Sequence, residues 1–334
     1  MGAWLEANVD GARPPFDFEL IAGGRSNLTF AVTDAAGART GLRRPPRGQG
    51  LATAHDVGRE HRIISALAGS AVPVPRALAW CDDPEVNGAP FFVMSFVDGV
   101  VVRDVDVGRV ALDPEARHSA STSLVDVLAA LHGLDPGAVG LGLLGRSEGY
   151  VARQLRRWYG QWEAAKTREL PDVDQVHTRL AASAPDQGPA AIVHGDYRID
   201  NCVCHTVGPV AAVLDWELCT LGDPLADVGM LLICWTEEGE VDPARPDSPT
   251  VLPGFLGRAE VLERYAAASG RDLSRIDWYR AFAYWKLACI SEGVYARYLG
   301  GAMGDTAGVD LTLLGAGAPR LAASARRALD EFEA

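Results

Sequence analysis

Three polar residues in the second half of the chain could do chemistry together. Asp196 and Asn201 lie five positions apart in the segment HGDYRIDN, and Asp215 follows Asn201 by fourteen positions, at the end of an apolar run. A positioned carboxylate can accept the proton of an attacking hydroxyl. Amide and carboxylate oxygens are ligands that Mg²⁺ prefers, and a cation would compensate a carboxylate that is costly to bury unpaired. These residues are therefore candidates for a proton acceptor beside a magnesium site.

The segments around them predict an α+β chain with two lobes and a cleft between them, where ligands prefer to bind. A β-rich first lobe is expected over 1–98, with short strands around one helix at 53–69. A mainly helical second lobe is expected over 99–334, interrupted by one strand-loop-strand unit at 191–216. The expected strands of the first lobe are 16–22, 28–33, one ending at 43, and a hairpin of 77–81 with 91–97. The expected helices of the second lobe are 114–132, 149–167, 172–183, 224–236, 258–268, 274–298 and 317–332.

A cluster of small residues in the first lobe could contact phosphate groups. Between the first two expected strands lie Gly23, Gly24, Arg25, Ser26 and Asn27. Small residues let backbone N–H groups approach phosphate oxygens closely. A plain hairpin turn explains the cluster about as well when it is considered alone.

The segment that contains Asp196, Asn201 and Asp215 resembles a known superfamily. Three motifs are similar to those of the aminoglycoside phosphotransferase and choline kinase superfamily. They are HGD at 194–196 with Asn201, LDWE at 214–217, and GDP at 222–224 followed by Asp227. Members of this superfamily have a protein-kinase-like fold, and the aspartate-to-asparagine spacing matches kinase catalytic loops. The resemblance extends from about residue 21 to about residue 297. It implies transfer of a phosphoryl group from ATP to a hydroxyl, with Asp196 as base and Asn201 and Asp215 as Mg²⁺ ligands.

The resemblance also implies supporting roles for other residues. Asp227 would hydrogen-bond the backbone of the catalytic loop, with His194 as a second structural residue. The backbone of 92–97 would be the hinge that contacts adenine. Nucleotide contacts are accordingly expected from the first-lobe residues Gly23, Gly24, Ser26, Asn27, Arg43, Glu60, Met94, Ser95 and Val97.

The chain departs from the superfamily at the phosphate-binding lysine. No lysine precedes Lys166, and the third strand ends in Arg43 and Arg44 instead. Arginine can bind phosphate in bidentate fashion, so the role can be retained. Neighbouring residues of a strand point to opposite faces, so only one of the two arginines can contact the phosphates, and we expect it to be Arg43 and not Arg44. Glu60 is the expected helix partner of Arg43. The segments 42–46 and 59–62 resemble the branch associated with acyl-CoA dehydrogenases, which implies a hydroxyacyl-CoA-like anionic acceptor.

Composition excludes several other classes of protein. The formal net charge is −13 and the pI is near 5.0, which argues against binding to nucleic acid or to an anionic membrane. The N-terminus lacks the apolar core of a signal peptide, and no apolar run is long enough to span a bilayer. A cytoplasmic protein is expected. Six cysteines without a C-x-x-C pair are expected to be packing residues.

Other functions and acceptors compete with this interpretation. The missing lysine supports a catalytically weak nucleotide-binding regulator, and a dehydrogenase is disfavoured because no G-x-G-x-x-G follows an N-terminal strand. An acidic run at 237–242 would suit an aminoglycoside, whereas Arg153, Arg156 and Arg157 could form either a solvated face or an anion site. The proline-rich segment 241–254 is expected to be an exposed loop or a lid. The aromatic residues at 278–298 are expected to be core, and Asp223 is expected to cap the following helix.

Overall fold

The computed structural model describes residues 1–21, 27–46, 56–240, 247–301 and 309–333. The strands of its N-terminal part are β1 (Asp17–Leu20), β2 (Leu28–Thr33), β3 (Arg39–Arg44), β4 (Ala77–Cys81) and β5 (Phe91–Ser95). They form one antiparallel sheet in the order β1-β2-β3-β5-β4. The expected strands and the 77–81 hairpin with 91–97 are confirmed, although the first strand is shorter than predicted.

Strand alternation sorts the side chains of β3 between two faces. Leu42 is buried on the outer face, where the helix α1 (Gly2–Asn8) also packs. Arg44 lies on the same face as Leu42, and Arg43 therefore points to the opposite, inner face. The helix α1 was not predicted from the sequence.

The helix α2 (Val57–Leu67) lies against the sheet. It begins at Asp56, whose carboxylate accepts a hydrogen bond from the backbone N–H of Arg59 at 2.9 Å. Buried Ile63, Ile64 and Leu67 attach it to the main core. This face also buries Glu60, which is 2% exposed and so requires a charged partner.

The C-terminal part is mainly helical, as expected. The helix α3 (Pro84–Asn87) connects β4 to β5, and the helices after the first sheet are α4 (Val105–Ala111), α5 (Pro114–Gly133), α6 (Tyr150–Ala165), α7 (Pro171–Ala182), α8 (Leu225–Ile233), α9 (Arg258–Ser269), α10 (Ile276–Leu299), α11 (Leu311–Gly315) and α12 (Gly317–Glu333). The helices α6, α7, α8 and α12 pack against α10, whereas α5 packs against α9. Four aromatic residues of α10 are buried, which confirms their predicted core role: Trp278, Tyr279, Tyr284 and Trp285. Tyr295 and Tyr298 are only half-buried. The position of the lobe boundary at residue 98 stays a prediction.

The single strand-loop-strand unit expected at 191–216 is wrong in its pairing. The segment contains β6 (Ala191–Val193), β7 (Cys202–Cys204) and β8 (Val210–Val213), and β9 (Thr220–Gly222) follows. β7 pairs with β8, but β6 pairs with β9, so there are two short sheets. The pairing brings the ends of the HGDYRIDN loop and the Asp215 turn together.

The proline-rich segment also differs from its prediction where it is described. Residues 241–246 lie outside the described residues, but Ser248, Pro249 and Thr250 are buried rather than exposed. The hydroxyl of Ser248 donates to the Cys234 carbonyl at 3.0 Å, and Thr250 accepts from the backbone N–H of Thr236 at 2.9 Å. These bonds satisfy backbone groups beyond α8, which explains why the segment packs.

Two further expectations concern the whole chain. All six cysteines are buried and none forms a disulfide with another described residue, as expected of packing residues. Among the helices in the described part of the chain, none is long and apolar enough to cross a membrane.

Candidate active site

The catalytic loop begins with a tight backbone turn at Gly195. Its φ is +88°, and a Cβ at this position would come within 2.8 Å of the Leu218 carbonyl oxygen. Only glycine fits this conformation without displacing the neighbouring backbone. His194 fixes the same turn, because its Nδ1 accepts from the Asp196 backbone N–H at 3.2 Å and its Nε2 donates to the Leu214 carbonyl at 2.9 Å.

Asp227 holds the loop from beneath, as predicted. Its buried carboxylate accepts from the backbone N–H of His194 at 2.6 Å and from that of Gly195 at 2.7 Å. A third donor is His132 Nε2 at 3.2 Å, while Nδ1 of that ring accepts from the Tyr265 hydroxyl at 2.8 Å. Burial alone would raise the pKa of Asp227, but these donors hold it below its ordinary value.

Asp196 and Asn201 are brought into direct contact by this loop. The Asn201 amide nitrogen donates to the Asp196 carboxylate at 2.9 Å and to the Asp196 carbonyl at 2.8 Å. Arg198 also donates to this carboxylate, at 3.3 Å, and forms an ion pair with Asp200 at 3.2 Å. The Asp196 side chain remains 23% exposed, so a substrate hydroxyl can reach it.

Asp215 lies at the end of β8 in a left-handed conformation. Its φ of 63° is the only positive value for a non-glycine residue in the described part of the chain. Such backbone strain persists only where the surroundings impose it, and it is common at functional sites. The carboxylate accepts from Arg43 at 2.6 Å.

Arg43 links the sheet, α2 and the catalytic region. It donates to both carboxylate oxygens of Glu60, at 2.5 and 2.9 Å, and to the Thr29 hydroxyl at 3.0 Å. Burial alone would lower the pKa of Arg43, but Glu60 and Asp215 raise it well above its usual range. Arg44 points the other way and donates to the Asn87 side chain at 3.1 Å.

One pocket brings six of the twelve predicted site residues together, but Asp196 does not line it. It lies between the sheet and the catalytic region, and the residues on its wall include Arg43, Met94, Ser95, Val97, Asn201 and Asp215. The Ser95 backbone N–H already donates to the Arg76 carbonyl at 2.8 Å. Glu60 supports the wall through Arg43.

The predicted glycine-rich loop is only partly described. Gly23, Gly24 and Ser26 lie outside the described residues. Asn27 is buried, and its side-chain amide makes no hydrogen bond to another described residue.

The donor set fits a hard cation such as Mg²⁺. Because the Asn201 amide nitrogen is used twice by Asp196, its Oδ1 is left as an acceptor. Asp215 pairs with Arg43 through Oδ1. Carboxylate oxygens of Glu60, Asp215 and Glu217 also lie within 4.8 Å of one another. Oxygen ligands of this kind suit Mg²⁺ better than softer metals.

The match to a family model decides the assignment. Residues 17–279 match the model of the phosphotransferase enzyme family, which covers the sheet, the catalytic loop and α10 as far as Tyr279. The chain belongs to this family.

Relatives of this family member include parts of longer proteins. The chain is 34% identical over 299 residues to acyl-CoA dehydrogenase family member 10 of Mus musculus, covering 86% of this chain and 27% of that protein. It is 36% identical over 283 residues to family member 11 of Gallus gallus, covering 83% and 36%. The chain thus spans about a third of the length of these relatives. The branch suggested by the sequence is confirmed.

Solved structures confirm the kinase-like fold of the family. A candidate aminoglycoside phosphotransferase from Ralstonia eutropha is 30% identical, with a TM-score of 0.82, and the match covers 99% of this chain and 97% of that one. An aminoglycoside phosphotransferase in complex with AMP-PNP and hygromycin B is 16% identical, with a TM-score of 0.64 and coverage of 98% of each chain. The second likeness concerns the fold alone.

The structure adds site residues that the sequence analysis missed. Arg198 contacts the Asp196 carboxylate, and Lys286 donates to the Gly195 carbonyl at 2.6 Å. Arg198 lies inside the recognised motif and could have been found there. Lys286 is 91 positions from Gly195, and only its rarity marked it, since Lys166 and Lys286 are the only lysines.

Proposed function

We propose that this phosphotransferase transfers the γ-phosphoryl group of ATP to a hydroxyl group of a small molecule. Asp196 would orient the acceptor hydroxyl and accept its proton. Asn201 and Asp215 would hold Mg²⁺, which supplies charge neutralisation for the phosphates when it is bound. Arg43, held by Glu60, would contact the phosphates from the sheet side.

The contact of Asn201 with Asp196 is the observation that carries this proposal. The amide nitrogen of Asn201 and the carboxylate of Asp196 are 2.9 Å apart, so the asparagine would orient the base and keep its own oxygen available as an acceptor. Phosphoryl transfer needs mainly positioning and charge stabilisation from the protein. A regulator without turnover would not require this orientation of the base.

For the acceptor, we propose an anionic metabolite such as a hydroxyacyl-CoA. Two residues of the acidic run that would suit a polycation, Glu237 and Glu240, pair with Arg258, while Glu238 is exposed. Asp242 lies outside the described residues. The relatives named for acyl-CoA dehydrogenases support a thioester acceptor by association.

A mass-spectrometric screen tests the proposed function. Alcohol-bearing metabolites, including hydroxyacyl-CoA thioesters and kanamycin-type sugars, are incubated with the protein, ATP and Mg²⁺. We expect a phosphorylated product from a thioester, and no product with Asp196→Asn. Product from the sugars alone would replace the acceptor and keep the reaction, whereas no product and no ATP hydrolysis above background would favour a regulator.

A further inference from the structure

Two cations approach the Trp158 ring beside the catalytic loop. Lys286 Nζ lies 5.4 Å from the ring centroid, and the Arg157 guanidinium carbon lies 4.9 Å from it. The same Nζ donates to the Gly195 carbonyl at 2.6 Å. Because Gly195 directly precedes Asp196, Lys286 belongs to the surroundings of the proposed base, and Arg157 shares the Trp158 ring with it.

Neither cation pairs with a carboxylate among the described residues. Lys286 is 7% exposed, and its hydrogen bond to the Gly195 carbonyl uses one of three N–H donors. Arg157 keeps solvent access and contacts only the aromatic ring. Lys286 therefore keeps two N–H donors and Arg157 is accessible from solvent, so the pair can bind a ligand that brings negative charge.

The charges around the pair act in both directions. Burial lowers the pKa of Lys286, Asp196 and Asp227 raise it, and Arg157 lowers it. Burial also lowers the pKa of Arg157, and repulsion from Arg59 adds to this effect. Among the described residues, Arg59 donates to the backbone carbonyls of Leu144 and Glu217.

We propose that Arg157 and Lys286 form a subsite that binds an anionic group of the acceptor, a phosphate or a carboxylate. The inference rests on the proposed function, because it assigns the side of the catalytic loop that the acceptor occupies. An anion there compensates both cations and leaves the rest of the acceptor beside Asp196. Recognition of the anion thus positions the hydroxyl for transfer.

Calorimetry with coenzyme A tests the subsite without requiring turnover. The full chain is saturated with Mg²⁺·ADP, so that the nucleotide pocket is filled, and is titrated with coenzyme A or with pantetheine, which lacks the phosphates. We expect coenzyme A to bind more tightly than pantetheine. Arg157→Gln should weaken coenzyme A binding by roughly 10- to 100-fold and remove this preference.

A matched control lies one position away. Arg156 is exposed on the same helix but lines a groove with Tyr159 and His177, so Arg156→Gln should retain the preference. Lys286→Arg should retain part of the preference for coenzyme A over pantetheine, and Lys286→Met should lose this preference. Equal binding of the two ligands by the wild type, or wild-type binding by Arg157→Gln, overturns the subsite.

Kinetics separate this inference from the proposed function. With a hydroxyacyl-CoA and the neutral hydroxyacyl-pantetheine as acceptors, we expect Arg157→Gln to raise KM for the first and not the second. If the wild type phosphorylates both acceptors with the same KM, the subsite is overturned and the proposed function is retained. Binding of coenzyme A without transfer to any acceptor overturns the function and supports the subsite. An increase in KM for ATP instead would assign the anion to the donor and overturn the inference.

Discussion

At the scale of single residues, the proposed function depends most on Asp196. Asp196→Asn keeps the shape of the side chain but cannot accept the proton, so kcat should fall by roughly 10²- to 10⁴-fold. The dissociation constant for ATP should change little, because the nucleotide is held by other residues. Steady-state kinetics together with nucleotide titration measure both quantities. Turnover near that of the wild type would exclude Asp196 as the base.

The two adjacent arginines give a second prediction with a built-in control. Arg43 lines the pocket and contacts Asp215 and Glu60, whereas Arg44 lies on the outer face beside Asn87. Arg43→Ala should therefore raise the apparent KM for ATP and lower kcat. Arg44→Ala should change both quantities less. Initial rates at varied ATP concentration measure this difference. The opposite order would transfer the phosphate contact to Arg44.

Residue types and spacing predicted the part of the site that is local in sequence. Asp196, Asn201 and Asp215 stand in one short stretch. Asn201 and Asp215 line one pocket, and Asp196 contacts Asn201. Strand alternation also predicted the direction of Arg43. Lys286 could not be assigned in this way, because its contact with the Gly195 carbonyl depends on how α10 packs against the loop.

At the scale of elements, helices were predicted better than short strands. A helix as long as α10 has enough side chains to show the helical spacing of its buried residues. The strands β6 and β9 have three residues each and pair although they are far apart in sequence. Nothing within three residues specifies the partner strand. The buried segment around Ser248 was missed for a similar reason, since proline content indicates a loop but not its hydrogen bonds.

The contact between α8 and the catalytic loop gives a prediction about stability. The buried Asp227 carboxylate on α8 accepts two backbone N–H groups of the loop. Asp227→Asn replaces one acceptor oxygen with a donor, so the free energy of unfolding should fall by about 2–4 kcal/mol. Asp106→Asn, at an exposed carboxylate that pairs with Arg109, should change it by less than about 0.5 kcal/mol.

The stability lost in Asp227→Asn should depend on pH, and the direction of this dependence follows from the lowered pKa of Asp227. The pKa of Asp227 is lower in the folded state, so its stabilisation is fully present above the unfolded value of about 3.9. It is lost as the pH falls through the lower, folded-state pKa. Denaturant unfolding at several pH values should show a constant difference from the wild type near neutrality and a smaller one in acid. A difference that grew in acid would contradict the assignment.

At the scale of the whole molecule, the pocket joins two parts of different architecture. Arg43 comes from the sheet and Asp215 from the mainly helical part, and their ion pair of 2.6 Å crosses between them. A ligand that binds both parts stabilises the folded chain by mass action, by about 2.7 kcal/mol at a concentration of 100 Kd. Thermal unfolding therefore reports directly on nucleotide and metal binding.

We expect ATP with Mg²⁺ to raise Tm by several degrees, and ATP with EDTA to raise it much less. Asp215→Asn should remove the Mg²⁺-dependent part, because it removes the charged ligand while asparagine still tolerates the left-handed backbone. Asn201→Ala should reduce that part less, since a neutral oxygen contributes less to binding a hard cation. Scanning calorimetry at fixed ATP and varied Mg²⁺ distinguishes the two variants. Equal and small effects of both would mean that the metal is held elsewhere, and Glu217 would then be the next ligand to test.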